Sequence, residues 1–373
     1  MKIINVYLNN KLISCDTVLP LTLEIAEKEP SAMINFLVFD KNTFLNITKS
    51  KILNDAIHEV GVIKYFGWIY SSNKYIRKIL HIFNIFEIIV TSLIYNVYNF
   101  HFKALERFPY SFIYYFNKKK TFLIESNCWG HFSVMDKISE SLFKRKKVQE
   151  LKKFNNVVYF GDEWPQLNYL KNIHKKNIYK ISPTRLMKIW IDYVNKQKTV
   201  TKEKKVLFIL GFLGKHHVYS KSTSGEELLI KTLDIVLKNT NYNITLKPHI
   251  ITNNAKLKVI LKTFNTNRIS ISYNHVSFLA LSHFITISNY ASLAMPDAWI
   301  TGSTVIEYNK YDKEIMLICK NKSPYHMYID HFINDSPMKL KNCLKAIKKR
   351  KTRKIDLSKT KKRTDDFITK ICS

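Results

Sequence analysis

The chain has 373 residues, enough for two domains of ordinary size. Hydrophobic residues make up 46% of it, with 23 Phe and 21 Tyr, which supplies two packed cores and excludes global disorder. Against 29 Asp and Glu stand 60 Lys and Arg, a formal net charge of +31 whose field attracts polyanions: nucleic acid, anionic lipid headgroups or phosphorylated substrates. The lysines are scattered along the whole chain, so compositional bias is the competing source of this charge. Cys15, Cys128, Cys319, Cys343 and Cys372 lie far apart and form no CxxC pair. Neither a disulfide framework nor a structural zinc site is expected, and a reducing compartment fits best. The first residues, Met1-Lys2-Ile3-Ile4-Asn5, lack the apolar core of a signal peptide and read as a strand.

Along the chain, short β-branched runs alternate with helical patterns. Strands are expected at 3–8, 33–39 and 62–66, with helices near 20–29 and 43–58 between them. A long helical stretch over roughly 74–104 follows, then strands at 121–125, 156–160 and 177–181, with a helix from about 133. Residues 79–98 approach the length of a membrane span. Glu87 near the centre would cost roughly 2.5–3.5 kcal/mol on insertion, so a buried crossover helix or one lying in a bilayer interface suits the segment better.

Residues 195–204 are polar and read as a linker. The alternation restarts at Val206, with strands at 243–246, 268–272, 283–287 and 303–308 and helices near 225–238, 254–264, 275–281 and 290–301. Repeated strand–helix–strand units are the signature of a parallel sheet with crossover helices. The expectation is a domain over 1–200, a second over 203–345, and a basic tail over 346–373 closing in a short helix. Doubly wound sheets bind ligands beyond the carboxyl ends of their strands, so functional residues should follow strands directly.

Leu210-Gly211-Phe212-Leu213-Gly214-Lys215 follows the first strand of the second unit. Its glycines permit a tight turn, and Lys215 could meet a phosphate, although the spacing is not that of a Walker loop. Thr245-Leu246-Lys247-Pro248-His249 ends the next strand; a cation and an imidazole there suit the phosphate of a nucleotide leaving group. In the segment Ser288-Asn289-Tyr290-Ala291-Ser292, side chains of Ser288, Asn289 and Ser292 would sit at a helix start, where the dipole favours an anion, with Asp297 two turns on and within reach of a ribose.

Lys247-Pro248-His249, followed by Ser288-Asn289-Tyr290-Ala291-Ser292 and Gly302-Ser303-Thr304-Val305-Ile306, resembles the donor-binding half of GT-B glycosyltransferases. The likeness is to bacterial surface-polysaccharide enzymes of the sialyltransferase-like and Kdo-transferase-like kind, and it covers about residues 205–310. Ile250 stands where those enzymes complete a His-Pro pair, and Asn289 replaces the second Ser of a Ser-Ser pair. The resemblance implies two Rossmann-like domains facing a cleft, a nucleotide-sugar donor leaning towards CMP-linked sialic acid or Kdo with UDP as the other option, and inversion without a metal or cofactor. Gly214, Lys215, Lys247, Pro248, His249, Ser288, Asn289, Ser292 and Asp297 would form the donor site.

The first unit would then hold the acceptor and the base. Phe122-Leu123-Ile124-Glu125-Ser126-Asn127-Cys128-Trp129-Gly130-His131 leads into a helix with Asp136, and Phe160-Gly161-Asp162-Glu163 ends the following strand. Glu125, His131, Asp136, Asp162 and Glu163 are the candidates for removing the acceptor proton, a step typically worth about 10²–10⁴-fold. A saccharide or lipid-linked acceptor in lipopolysaccharide or capsule biosynthesis, on the cytoplasmic face of an anionic membrane, would account for the basic charge. The alternatives are a nucleic-acid-binding protein, for which no aromatic-interleaved basic module is present, and a GT-B-fold nucleotide-sugar epimerase.

Overall fold

The structure, a computed structural model, describes residues 2–8, 12–66, 73–101, 109–124, 154–159, 176–197, 204–214, 220, 222–249, 252–347, 351, 353–354 and 356–372. The chain divides into two compact units, one of Met1–Cys128, Lys146–Trp190 and Asp356–Ser373, the other of Trp129–Arg145 and Ile191–Ile355.

In the first unit, strands β1 (Lys2–Leu8), β2 (Met33–Val38), β3 (Val62–Tyr65), β4 (Asn96–His101), β5 (Thr121–Ile124), β6 (Asn156–Tyr159) and β7 (Asn177–Lys180) form one sheet. Its order is β3-β2-β1-β4-β5-β6-β7, with every pairing parallel. Helices α1 (Leu12–Lys28), α2 (Lys41–Lys49), α3 (Lys51–Val60), α4 (Lys74–Ile94) and α5 (Tyr110–Phe116) lie between strands, and α6 (Lys188–Lys196) carries the chain across the unit boundary. Residues of β1 are buried on both faces, as a parallel sheet covered by helices requires. A row of amides crosses this sheet in register: Asn5 pairs with both Asn35 and Asn99, and Asn156 with Asn177. Asn35 donates to Asn5 at 3.2 Å, Asn99 to the Thr121 hydroxyl at 3.3 Å, and Asn177 to Asn156 at 2.9 Å. Adjacent parallel strands thus give these buried amide groups partners for their N–H donors.

Three local expectations change. The helix over 43–58 is two helices, because Ser50 takes an extended backbone (φ −89°, ψ 94°) and ends one while starting the next. Serine competes with helical bonding in this way and favours caps. The helical stretch over 74–104 stops at Ile94, and Asn96–His101 is instead the central strand β4, registered on β1 from Lys2↔Asn96 to Tyr7↔His101. Tertiary pairing and the amide row decide that conformation, which local pattern left helical. The basic stretch read as a tail divides between the units. Arg353 packs 4.6 Å over the Trp299 ring of the second unit, whereas the terminal helix Ser358–Cys372 buries Phe367, Ile368 and Ile371 on the first. Phe367 meets Phe100, Phe122 and Tyr179, and Thr364 accepts a bond from the Ser182 amide at 2.8 Å.

The second unit repeats the plan. Strands β8 (Lys205–Ile209), β9 (Asn243–Lys247), β10 (Ile269–Ile271), β11 (Ile285–Ser288), β12 (Thr304–Asn309) and β13 (His331–Asn334) form a parallel sheet of order β10-β9-β8-β11-β12-β13. Helices α7 (Gly225–Asn239), α8 (Asn254–Lys262), α9 (Val276–Ala280), α10 (Met295–Ile300), α11 (Lys313–Ile318) and α12 (Pro337–Ala346) accompany it. Alternation within β8 sends Val206 and Phe208 into one core with α7 and α12, and Leu207 and Ile209 into the other with α9 and α10. The expected helix over 290–301 is shorter, beginning only at Met295 after a turn.

Candidate functional site

In a sheet ordered 3-2-1-4-5-6, the connections leave β8 and β11 in opposite directions, opening a crevice at their carboxyl ends. The loops after β8, β9 and β11 converge there. Leu210 donates its amide to Lys247 O at 3.0 Å, which joins the end of β8 to the end of β9. Gly211 lies against Tyr290: a Cβ at this position would stand 2.7 Å from the tyrosine ring. The His249 ring meets the same tyrosine edge-on, with centroids 6.4 Å apart. Tyr290 therefore bridges the three loops.

Each turn is fixed locally. His249 O accepts the Thr252 amide at 2.8 Å, closing the turn after Lys247-Pro248, and the Lys247 ammonium reaches Pro248 O at 3.4 Å. Lys247 and His249 are half-buried, Pro248 buried. Gly225 must be glycine, because a Cβ there would fall 2.0 Å from Phe212 O, and its amide donates to Gly214 O at 3.2 Å. The loop from Leu210 to Gly214 thus sits directly on the start of α7. That helix end is already supplied with negative charge. Ser224 and Glu227 form a reciprocal capping box, which holds the Glu227 carboxyl below its ordinary value mainly through the Ser224 amide, and Glu226 pairs with Lys256 at 2.5 Å.

Residues chosen from the sequence divide into those on the rim and those beneath it. Gly214, Lys247, Pro248 and His249 lie in the rim loops. Ser288 is wholly buried; its hydroxyl donates to Tyr290 O at 2.9 Å, shaping the turn that carries Tyr290. Asn289 is buried too, and its amide donates to the Thr232 hydroxyl at 2.9 Å and to Tyr308 O at 2.8 Å, tying this turn to α7 and β12. Ser292 accepts the Ala294 amide at 3.2 Å. These three side chains were expected at a helix start; α10 begins only at Met295, and in this fold Ser288 and Ser292 bond within the loop while Asn289 ties it to α7 and β12. Asp297, expected within reach of a ribose, is fully buried in this fold. Lys215, Glu125, His131, Asp136, Asp162 and Glu163 lie outside the described residues.

Sequence reasoning passed over Tyr290 because it read the segment as the start of a helix. Two further groups escaped it. Glu307 on β12 is fully buried and accepts bonds from Asn309 at 3.0 Å, from Tyr311 and from Ser323 at 2.5 Å. Burial raises its carboxyl above the ordinary value against the pull of those donors. In the first unit, His101 ends β4 at the equivalent switch between β1 and β4, stacked on Tyr7 with centroids 4.1 Å apart. Burial lowers its imidazole to about 3, so it is neutral at physiological pH. It went unread because its strand was absorbed into the long helical pattern.

No protein-family model matches the sequence, and no curated protein matches it significantly. Solved structures do match in fold. A UDP-GlcNAc 2-epimerase of Methanocaldococcus jannaschii, in complex with UDP-GlcNAc and UDP, aligns with a TM-score of 0.55 at 13% identity, covering 100% of this chain and 99% of that one. MnaA of S. aureus, in a co-structure with UDP, gives 0.53 at 11% identity over 100% and 96% of the two chains. UGT71G1 of Medicago truncatula, complexed with UDP-glucose, gives 0.51 at 9% identity over 100% and 98%. At such identities the likeness establishes the fold: two parallel-sheet α/β domains of the GT-B kind.

Proposed function

We propose that the protein is a glycosyltransferase that takes its sugar from a nucleotide-sugar donor bound by the second unit. The observation that carries this reading is the meeting of Gly211, Lys247-Pro248-His249 and Tyr290 at the switch between β8 and β11. Ligands of doubly wound sheets bind at such a crevice. Lys247 and His249 would neutralise the phosphate as the glycosidic bond to the nucleotide breaks, and Tyr290 would offer a ring face beside them. Lys215 would add charge from the β8 loop, and Glu125, His131, Asp136, Asp162 and Glu163 supply the candidates for the base. The resemblance around Lys247-Pro248-His249 favours a CMP-linked acidic sugar. The titles of the matching structures name UDP and UDP-sugars, which makes UDP the competing nucleotide. The acceptor in this reading is a saccharide or lipid-linked saccharide of a surface polysaccharide, reached from the cytoplasmic face of the membrane, with no metal required.

The test is binding followed by turnover. Thermal shift against CMP, CDP, UMP, UDP and GDP without added metal identifies the nucleotide, since ligand at 100 times its dissociation constant stabilises by about 2.7 kcal/mol. His249→Ala should then abolish transfer while leaving the circular dichroism unchanged; full activity in that variant would refute the assignment. An epimerase is the second reading, favoured by the fold shared with two UDP-GlcNAc 2-epimerases, at TM-scores of 0.55 and 0.54. Proton NMR of a nucleotide sugar incubated without acceptor separates them, because only an epimerase converts the sugar while it remains on the nucleotide.

A further inference from the structure

The geometry points to the outward face of α4 and α5 in the first unit as a docking surface for an anionic lipid bilayer. This inference deepens the membrane-side placement in the reading above, and it is argued from surface residues of the first unit.

Helix α4 is apolar on two sides. Ile85, Ile88 and Ile89 are buried in a core with Tyr7, Leu37 and Phe66. Ile76, Ile79, Ile82, Phe83, Phe86 and Leu93 point the other way, with Ile82, Phe83 and Phe86 between 61% and 64% exposed. At 100° per residue these six positions fall within an arc of about 120°, a stripe as wide as those that ordinary amphipathic helices bury. Here nothing in the described chain covers it. Helix α5 packs beside α4 and carries three more exposed aromatics, Phe112, Tyr115 and Phe116, with Phe116 in edge contact with the other two. A cluster of large exposed apolar side chains marks an interaction surface.

Charge selects the partner. Lys118 and Lys119 just after α5 are exposed beside its aromatics, and the Lys118 ammonium sits 4.6 Å over the Tyr115 ring. Glu87 is the exposed acid on the same helix. Basic side chains beside aromatics and aliphatics match a headgroup layer over acyl chains. A second copy of this chain would fit poorly, since a two-fold contact places these lysines opposite themselves in a protein of net charge +31. Among the described residues no helix is long and apolar enough to cross a membrane, so α4 would lie in the plane of the interface.

The test is flotation of the purified full chain with vesicles of phosphatidylcholine, with and without phosphatidylglycerol. Binding is expected only with phosphatidylglycerol and should fall with salt. Lys118→Glu/Lys119→Glu should weaken it about 30-fold or more, taking roughly 1 kcal/mol per lysine. Phe83→Ser/Phe86→Ser should weaken it at least about tenfold. Because all four side chains are exposed, both variants should keep the parent's melting temperature and nucleotide affinity. The inference is overturned if the parent ignores anionic vesicles at low salt, or if neither variant changes binding. It is equally overturned if light scattering finds a dimer that the phenylalanine variant dissolves, which would make this face a self-association surface.

Discussion

Asn289→Ala separates a loop anchor from a ligand donor. The Asn289 amide donates to Thr232 and to Tyr308 O, at 2.9 and 2.8 Å, in a fully enclosed position. Each bond contributes about 1 kcal/mol net. The Thr232 hydroxyl keeps its own donation to Leu228 O at 2.6 Å, so little is stranded on that side. Tyr308 O loses a donor inside the core, which adds a desolvation cost of about 1 kcal/mol or somewhat more. The sum is about 2–3 kcal/mol, or roughly 4–12 °C in melting temperature for a unit of this size. Thermal unfolding read at Trp299, in the same unit, measures it alongside nucleotide affinity. Lower stability together with weaker binding is expected, since the turn bearing Tyr290 loses its tether. Unchanged stability with lost binding would refute the anchoring argument and make Asn289 a direct contact to the ligand.

Three further outcomes follow from buried groups. Arg185 and Asp16 pair at 3.1 Å, both almost completely buried, so Arg185→Met should destabilise by about 3–5 kcal/mol and the added Asp16→Leu should restore most of it, as measured by denaturant unfolding. His101 titrates at about 3 in the folded chain against 6.5 when unfolded, so the unfolded state binds the extra proton and stability falls as pH drops from 6.5 towards 3. His101→Phe should flatten that part of the pH–stability curve; an unaltered slope would show that His101 is not its source. Asp330 is the opposite case. Burial alone would raise its carboxyl, but Lys351, the Val305 amide and Arg353 together hold it below 3.8. Its contribution is therefore present above that pH and lost as pH falls through the folded-state value, so the stability gap between the parent and Asp330→Asn should close in acid.

The proposed chemistry depends on how firmly the loops at the β8/β11 switch are held. Gly211, Gly225 and Asn289 each fix one loop against another element, and Tyr290 lies where they meet. The rim groups to which the proposal gives the phosphate, Lys247 and His249, thus lie on loops held by residues that themselves face inward. Binding groups displayed on loops over a rigid sheet are the common arrangement in α/β proteins.

Periodicity by itself determined the alternation of strand and helix, and with it two parallel-sheet units, because β-branched runs between amphipathic segments admit few other arrangements. It also placed Lys247-Pro248-His249 at a strand end, since proline there stops the ladder. Tertiary structure decided what pattern left open. Asn96–His101 is a strand because β1 and β5 lie on either side to bond it and to satisfy Asn99, partners that are distant in sequence. The terminal helix joins the first unit because Phe367 finds aromatic neighbours there, although its composition reads as a solvated basic tail. Ser288, Asn289, Ser292 and Asp297 have the chemistry of ligand donors. Only their burial and hydrogen bonds show that Ser288 and Ser292 bond within a turn, that Asn289 anchors it to β12, and that Asp297 is enclosed. Residue type limits which bonds a side chain can make; the packing around it decides which of them are made.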